Sequence, residues 1–284
     1  MRGGEISYMN IGPVLKYPGS KWRMADWVVA NMPKHGTYLE PFFGSGAVFF
    51  TKKPAKVETI NDVDEHVVNF FKVLREHPDE LARVVELTPW SRLEYETYLT
   101  SAKEKDYFLQ SDDPIENARR LLIRMNMGHG SRSSDRGGWR HNVQAKCCGN
   151  SSTSVWKKMP QRIHLAADRL KNAQIECSPA VKLIERYRYP EVLIYADPPY
   201  PLDTRRQRQY KHEMTDADHI ELLEALDDHP GPVLLSGYSC ELYDSRLTHW
   251  TRKTAKAFAE GGREREEVLW INPAAAKTIG VTLF

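Results

Sequence analysis

The sequence predicts an α/β fold, a doubly wound sheet interrupted by a helical and loop-rich insertion. Three observations predict it. Residues 37–62 read as strand, glycine turn, helix, strand. The apolar run Val192-Leu193-Ile194-Tyr195-Ala196 stops just before Pro198-Pro199, as a buried parallel strand does. Between about residues 72 and 170 the pattern turns helical and then irregular, and strands are expected again only beyond it.

The elements follow in order. A helix is expected over 22–31, entered from the tight turn Lys16-Tyr17-Pro18-Gly19-Ser20-Lys21. Thr37-Tyr38-Leu39-Glu40-Pro41 is a short strand, and Phe42-Phe43-Gly44-Ser45-Gly46 is a turn opening a helix over 47–53. Val57-Glu58-Thr59-Ile60 is the next strand; it ends at Asn61-Asp62 and leads into a helix over 64–76. Inside the insertion, helices fit 91–102 and 114–127. Short alternation returns with Ala173-Gln174-Ile175-Glu176-Cys177, ahead of the apolar run. A helix over 218–226, a strand over 232–236, a helix over 240–247 and a hairpin pairing 250–258 with 267–271 complete the reading.

A chain of 284 residues accommodates one large α/β domain and a smaller module. No apolar run approaches the roughly 18 residues of a membrane span, and the N-terminus lacks a signal peptide's apolar stretch. A cytoplasmic, monomeric protein without membrane contact is expected. Four cysteines, with Cys147 and Cys148 adjacent, contain no C-x-x-C pair. Together with His129 and His141 they match no zinc spacing, so free thiols and no metal are expected.

The net charge of +2 hides an asymmetry. Ten basic residues (Arg119, Arg120, Arg124, Arg132, Arg136, Arg140, Lys146, Lys157, Lys158, Arg162) lie between 119 and 162, against one acid, Asp135. A solvated basic face ordinarily carries interspersed acids. This composition points instead to a phosphate-bearing partner. Arg205, Arg206, Arg208 and Lys211 form a second basic cluster.

The chemistry is concentrated in Asp197-Pro198-Pro199-Tyr200. Asp197 ends a strand, where open α/β sheets place their ligands. The prolines remove backbone donors and stiffen the turn, leaving carbonyls as fixed acceptors. A carboxylate, rigid carbonyls and an aromatic face suit a flat ring bearing an exocyclic NH2 group. The glycines of the 42–46 turn allow close backbone approach, but without a third glycine they make a poor pyrophosphate site, so NAD is not favoured. Asp62, at the next strand end, either holds the two hydroxyls of a ribose or caps a helix. Lys21 either neutralises a ligand carboxylate or is a surface lysine near a helix start. Together these indicate a nucleoside cofactor lacking a pyrophosphate, and S-adenosylmethionine fits.

The segments KYPGSK, EPFFGSGAVFF, INDVDEHVVNF, ADPPY and TDADHIELLEAL resemble the Dam-type family of DNA adenine-N6 methyltransferases, in order along nearly the whole chain. The resemblance implies a Rossmann-like methyltransferase sheet with an inserted, mostly helical target-recognition domain. The catalytic parts would be 1–71 and 171–284, and the recognition part 72–170. It implies S-adenosylmethionine as cofactor, held by Tyr17, Lys21, Glu40, Phe42, Gly44, Gly46, Asp62 and Asp197, and double-stranded DNA as partner. Asp197, Pro198, Pro199 and Tyr200 would be catalytic, with Tyr200 stacking on an adenine flipped from the duplex. Arg124, Arg132, Arg136, Arg140 and Arg205 are expected at DNA, and Arg119 and Arg120 at phosphate or in packing. Two departures stand out. Pro179 occupies a place where many relatives carry an acid near the cofactor adenine, and residues 124–132 lack the hairpin sequence of GATC readers. Two alternatives stay open: methylation of cytosine N4, and an inactive DNA-binding regulator on the same fold.

Overall fold

The computed structural model describes residues 11–99, 108–129, 138–141, 151–205, 208–258 and 264–280. In chain order its elements are α1 (Ala25–Ala30), β1 (Thr37–Glu40), α2 (Ala47–Thr51), β2 (Val57–Asn61), α3 (Glu65–Glu76), α4 (Pro78–Glu86), α5 (Arg92–Thr97) and α6 (Pro114–Met127). These are followed by α7 (Ser152–Lys157), α8 (Met159–Leu170), β3 (Ala173–Glu176), α9 (Ala180–Arg186), β4 (Val192–Ala196), α10 (Asp216–Asp227), β5 (Val233–Gly237), α11 (Glu241–Arg246), β6 (Thr251–Phe258), β7 (Glu264–Ile271) and α12 (Pro273–Ile279).

One seven-stranded sheet runs in the order β3-β2-β1-β4-β5-β7-β6. The first five strands of that order are parallel, and β7 lies antiparallel to both β5 and β6. This is the expected Rossmann-like sheet. The chain winds outward from β1 to β3, then returns to β4 beside β1 and winds the other way. The carboxyl ends of β1 and β4 therefore flank the crevice where such sheets bind ligands. Every residue of β4 is buried, as its unbroken apolar sequence requires of a central strand covered on both faces.

Helices cover both faces. One core cluster joins Tyr38 and Tyr195 of the sheet to Phe49, Phe71, Leu122 and Ile163. The other joins Leu39 and Ile194 to Leu183, Leu222, Tyr243 and Trp270. Helices α4, α6 and α8 of the insertion thus share their core with the sheet. The expected boundary at residue 72 falls inside α3. Its N-terminus is capped by Asp64, whose Oδ1 accepts the His66 N–H at 3.1 Å, so Asp62 is released from that role.

Two expected helices are shorter than anticipated. The chain between Lys21 and Met24 forms a turn, and α1 begins at Ala25. The helix starting after Ser91 stops at Thr97.

A buried ion cluster ties α2, β2 and α8 together. Glu58 on β2 is 1% exposed and accepts from Lys52 Nζ at 2.6 Å. It also receives both terminal nitrogens of Arg169, at 2.5 and 2.9 Å. Arg169 lies over the Phe49 ring and Lys52 over the Tyr38 ring.

Among the described residues no helix is long and apolar enough to cross a membrane, and no group of His, Cys, Asp or Glu is arranged to hold a metal. Cys177 is exposed and Cys240 buried, both as free thiols; Cys147 and Cys148 lie outside the described residues.

Candidate active site

The loops after β1, β2, β3 and β4 converge on a cavity of about 440 Å³, reached also by the 17–21 turn and by Tyr210 and Glu213. That volume is ordinary for a small-molecule site. Tyr17, Lys21, Glu40, Phe42, Gly44, Asp62, Asp197 and Pro199 all line it. Pro198 and Tyr200 are buried beneath.

Asp197 leaves β4 into this cavity. Its Oδ1 accepts the Ser236 hydroxyl of β5 at 2.8 Å and faces Lys21 Nζ at 2.9 Å. Its Oδ2 has no hydrogen-bond partner among the described residues. Lys21 Nζ also donates to the Gly19 carbonyl at 3.0 Å, approaches Glu267 at 3.5 Å, and lies 4.6 Å from the centroid of the Tyr200 ring. Burial opposes the Lys21 charge, but Asp197 and Glu267 outweigh it and hold the ammonium above its ordinary range. Lys21 therefore stands buried between Asp197 and Glu267 and not at the surface. Glu40, 2% exposed, accepts from the Tyr38 hydroxyl at 2.7 Å. Burial, with the charge of Asp197 adding to it, pushes its carboxyl up to about 8.

On the other side, Asp62 holds the glycine turn. Its Oδ2 accepts the Gly44 N–H at 2.8 Å and its Oδ1 the Asp64 N–H at 2.9 Å. Burial pushes this carboxyl up to about 7 against those two donors. Gly46 has φ of 66°, and a Cβ there would stand 2.5 Å from the Phe43 ring. The glycines thus serve the turn and its packing, and the Gly44 N–H is already taken by the protein. Tyr17 packs its ring on Gly44 and donates its hydroxyl to Asp64 at 3.3 Å. Pro179 lines the cavity as expected, but Asn61 takes both the N–H and the carbonyl of Ser178.

The basic residues divide. Arg205 does not face outward: its side chain is 6% exposed, it is paired with Glu213, and its Nε donates to the Tyr200 carbonyl at 2.7 Å. Glu213 in turn accepts the N–H groups of Gln209 and Tyr210. Arg205 is therefore a brace beneath the Asp197–Tyr200 turn. If the chain acts as the resemblance implies, Arg205→Ala should lower methyl transfer while leaving the salt dependence of DNA binding unchanged, measured by titration at several salt concentrations. Arg124 is 4% exposed and donates to the Tyr95 hydroxyl at 2.6 Å, inside the helical layer. Arg119 and Arg120 are bonded to Glu116, one turn earlier in α6, so their charge is spent within the fold. Arg132 and Arg136 lie outside the described residues.

Arg140 is different. Its backbone is fixed by Met127 and Trp90, and its side chain, half-buried, stands near Lys16 and Arg162. None of the three forms an ion pair among the described residues. Burial and then the like charges of Arg140 and Arg162 push the Lys16 ammonium down to about 8. Three crowded cations with no ion-pair partner among the described residues form a place for an anion.

Sequence reasoning missed Ser236, Glu213 and Glu267. Only the apolar residues around Ser236 carried a signal; the two acids are hidden in charged segments.

The family described as D12 class N6 adenine-specific DNA methyltransferase matches residues 17–258. The type II methyltransferase M.MjaIII of Methanocaldococcus jannaschii is 27% identical over 255 residues, covering 80% of this chain and 84% of that one. The DNA adenine methylase of Escherichia coli K12 is 24% identical over 266 residues, covering 89% and 91%. The type II methyltransferase M1.LlaDCHI of Lactococcus lactis subsp. cremoris is 27% identical over 117 residues, which span 40% of each chain. With its motifs converging on one cavity at the sheet's switch point, the chain belongs to the D12 class of N6 adenine-specific DNA methyltransferases.

Proposed function

We propose that this chain transfers a methyl group from S-adenosylmethionine to the N6 amine of an adenine turned out of duplex DNA. The observation that carries the reading is the environment of Lys21 Nζ. A positively charged nitrogen is held against Asp197, a backbone carbonyl and the face of Tyr200. An adenine amine acquires the same charge as it is methylated, so the site favours the species that must form.

The cavity residues fit the cofactor: an acid for a ribose diol, aromatic walls, and space for a nucleoside. Asp62 would hold the hydroxyls, with Tyr17, Glu40, Phe42 and the 44–46 turn around it. S-adenosylmethionine, when bound, supplies a methyl group on a sulfonium. The remaining work belongs to the chain. Extruding the base costs a few kcal/mol. Stacking on Tyr200 returns about 1–3 kcal/mol, and phosphate contacts supply the rest. Asp197 and the Pro198 carbonyl would accept the two amine hydrogens, restoring the nitrogen lone pair to attack as the amine turns pyramidal, and the proton that the methylated nitrogen must shed would pass to Asp197 and on to solvent.

The test is sequencing that distinguishes N6-methyladenine from N4-methylcytosine in DNA from cells expressing the chain. N6-methyladenine at one sequence context is expected. A cytosine mark, or none with folded protein, would overturn the reading.

DNA backbone is the anion proposed for Lys16, Arg140 and Arg162. Lys16→Ala should weaken binding equally for all sequences and lower the slope of log affinity against log salt by about one. A change confined to one base position would instead make Lys16 a base reader. Of the three loop arginines expected to include a base reader, Arg140 falls to the backbone group, and base reading is proposed for at least one of Arg132 and Arg136. Alanine at one of these should relax preference at one base pair, worth about 1–3 kcal/mol.

A further inference from the structure

Glu267 lies inside β7, paired with Ala255 of β6 and one residue before Val268, the partner of Gly237 in β5. It is 3% exposed. Burial raises its carboxyl above the ordinary range, although Lys21 pulls it back. An apolar side chain would pack at this position without that desolvation. What the carboxylate gains is specific: it accepts the Tyr200 hydroxyl and faces Lys21 Nζ at 3.5 Å.

Tyr200 is thereby tethered at both ends, its carbonyl by Arg205 and its hydroxyl by Glu267. Tyr238 packs against the ring at 70°, with centroids 4.7 Å apart, and fixes it sideways. Among the described residues the ring has one charged occupant, Lys21 Nζ. A base stacked on Tyr200 needs the space over that ring, because stacked rings lie at similar separations. The ammonium and the base therefore exclude one another.

We propose that Glu267 is a positioning residue for methyl transfer: through the Tyr200 hydroxyl it sets the plane that receives the target base, and by its charge it draws Lys21 over that plane until the base arrives. This rests on the reading of Tyr200 as the stacking platform. The two roles separate chemically. Glutamine keeps an oxygen to accept the hydroxyl but has no charge for Lys21. Leucine keeps neither.

The experiment uses the full chain and a duplex carrying 2-aminopurine at the target adenine of its recognition sequence. Glu267→Leu and Tyr200→Phe should each lower kcat about tenfold, the effect of one lost hydrogen bond of about 1.4 kcal/mol, with KM for DNA within about twofold. The double variant Tyr200→Phe/Glu267→Leu should be no worse than either single one, because both remove the same bond. Additive losses would overturn the tether. Glu267→Gln should keep kcat within about threefold. It should also raise 2-aminopurine fluorescence without cofactor, since Lys21, then held by Asp197 and the Gly19 carbonyl alone, yields the Tyr200 face to the base more readily. Unchanged fluorescence would overturn the hold on Lys21. Should Glu267→Leu not fold, the Gln variant and Tyr200→Phe carry the test. Tyr200→Ala separates the two layers. If it turns over like wild type, the platform reading fails. If it is inactive while the Glu267 variants match wild type, only this proposal fails.

Discussion

Asp197→Ala is expected to cost about a thousandfold in single-turnover methyl transfer, the scale of removing a preorganised group from a transition state. Duplex affinity should change by no more than a few-fold. The asymmetry follows from where the carboxylate stands. It ends β4, is anchored by Ser236, and faces a cavity that also contains the residues proposed for the cofactor. The cations proposed for phosphate, Lys16, Arg140 and Arg162, form a separate group. Removing Asp197 also leaves Lys21 with Glu267 as its remaining acidic partner, so the ammonium shifts and the Tyr200 face is altered along with the amine acceptor. Asp197→Asn keeps the shape and one acceptor and should retain more activity than Ala. Methyl transfer and equilibrium binding measured on one preparation decide the matter: if both fall together, Asp197 belongs to the DNA grip and not to the chemistry.

Glu58→Ala should be the most damaging single change to stability, about 3–5 kcal/mol in denaturant unfolding. The carboxylate is buried with Lys52 and Arg169 on it, and its loss strands two cations in the interior. Burial works against the Glu58 charge, but Arg169 and Lys52 outweigh it and hold its carboxyl below the usual range. An acid with a lowered folded-state value contributes stability at neutral pH and loses it as pH falls through that value. Wild type should therefore be acid-sensitive in a way that a triple variant, Glu58→Leu with Lys52→Met and Arg169→Met, is not. If Glu58→Ala unfolds at the wild-type denaturant concentration, the triad is not holding α8 to the sheet.

The parallel strands were legible because burial on both faces leaves an apolar signature that punctuation bounds. Val192 to Ala196 against the proline turn is the clearest case, and the glycine turn after β1 the next. The places of Asp197 and Asp62 were legible because they follow strand ends, and that of Lys21 because it follows a tight Pro-Gly turn. Glu267 was not. It sits in Glu264-Arg265-Glu266-Glu267, which reads as a solvated hairpin arm, and only strand pairing buries its last residue. Arg205 looked like part of a basic cluster because charge along the chain says nothing of partners. Glu213, eight residues on, turns it inward. Arg124 misled for the same reason. Helix periodicity cannot tell an arginine bonded to a buried tyrosine hydroxyl from one facing a phosphate. Asp62 was half-read: its place was right, but the cap it might have formed belongs to Asp64.

The position of β7 has a consequence for biosynthesis. A ribosome delivers the glycine turn, the insertion and Asp197 long before residues 264–271, yet β7 belongs between β5 and β6. Until that last hairpin emerges, β5 is an open edge with an apolar sequence, Val233-Leu234-Leu235, available to any passing strand. The nascent chain is thus most prone to misassociation in the interval between the emergence of β5 and that of β7. It also lacks Glu267 throughout that interval, so the seat proposed for Tyr200 forms only with the β6–β7 hairpin, after the residues proposed to grip DNA have been made.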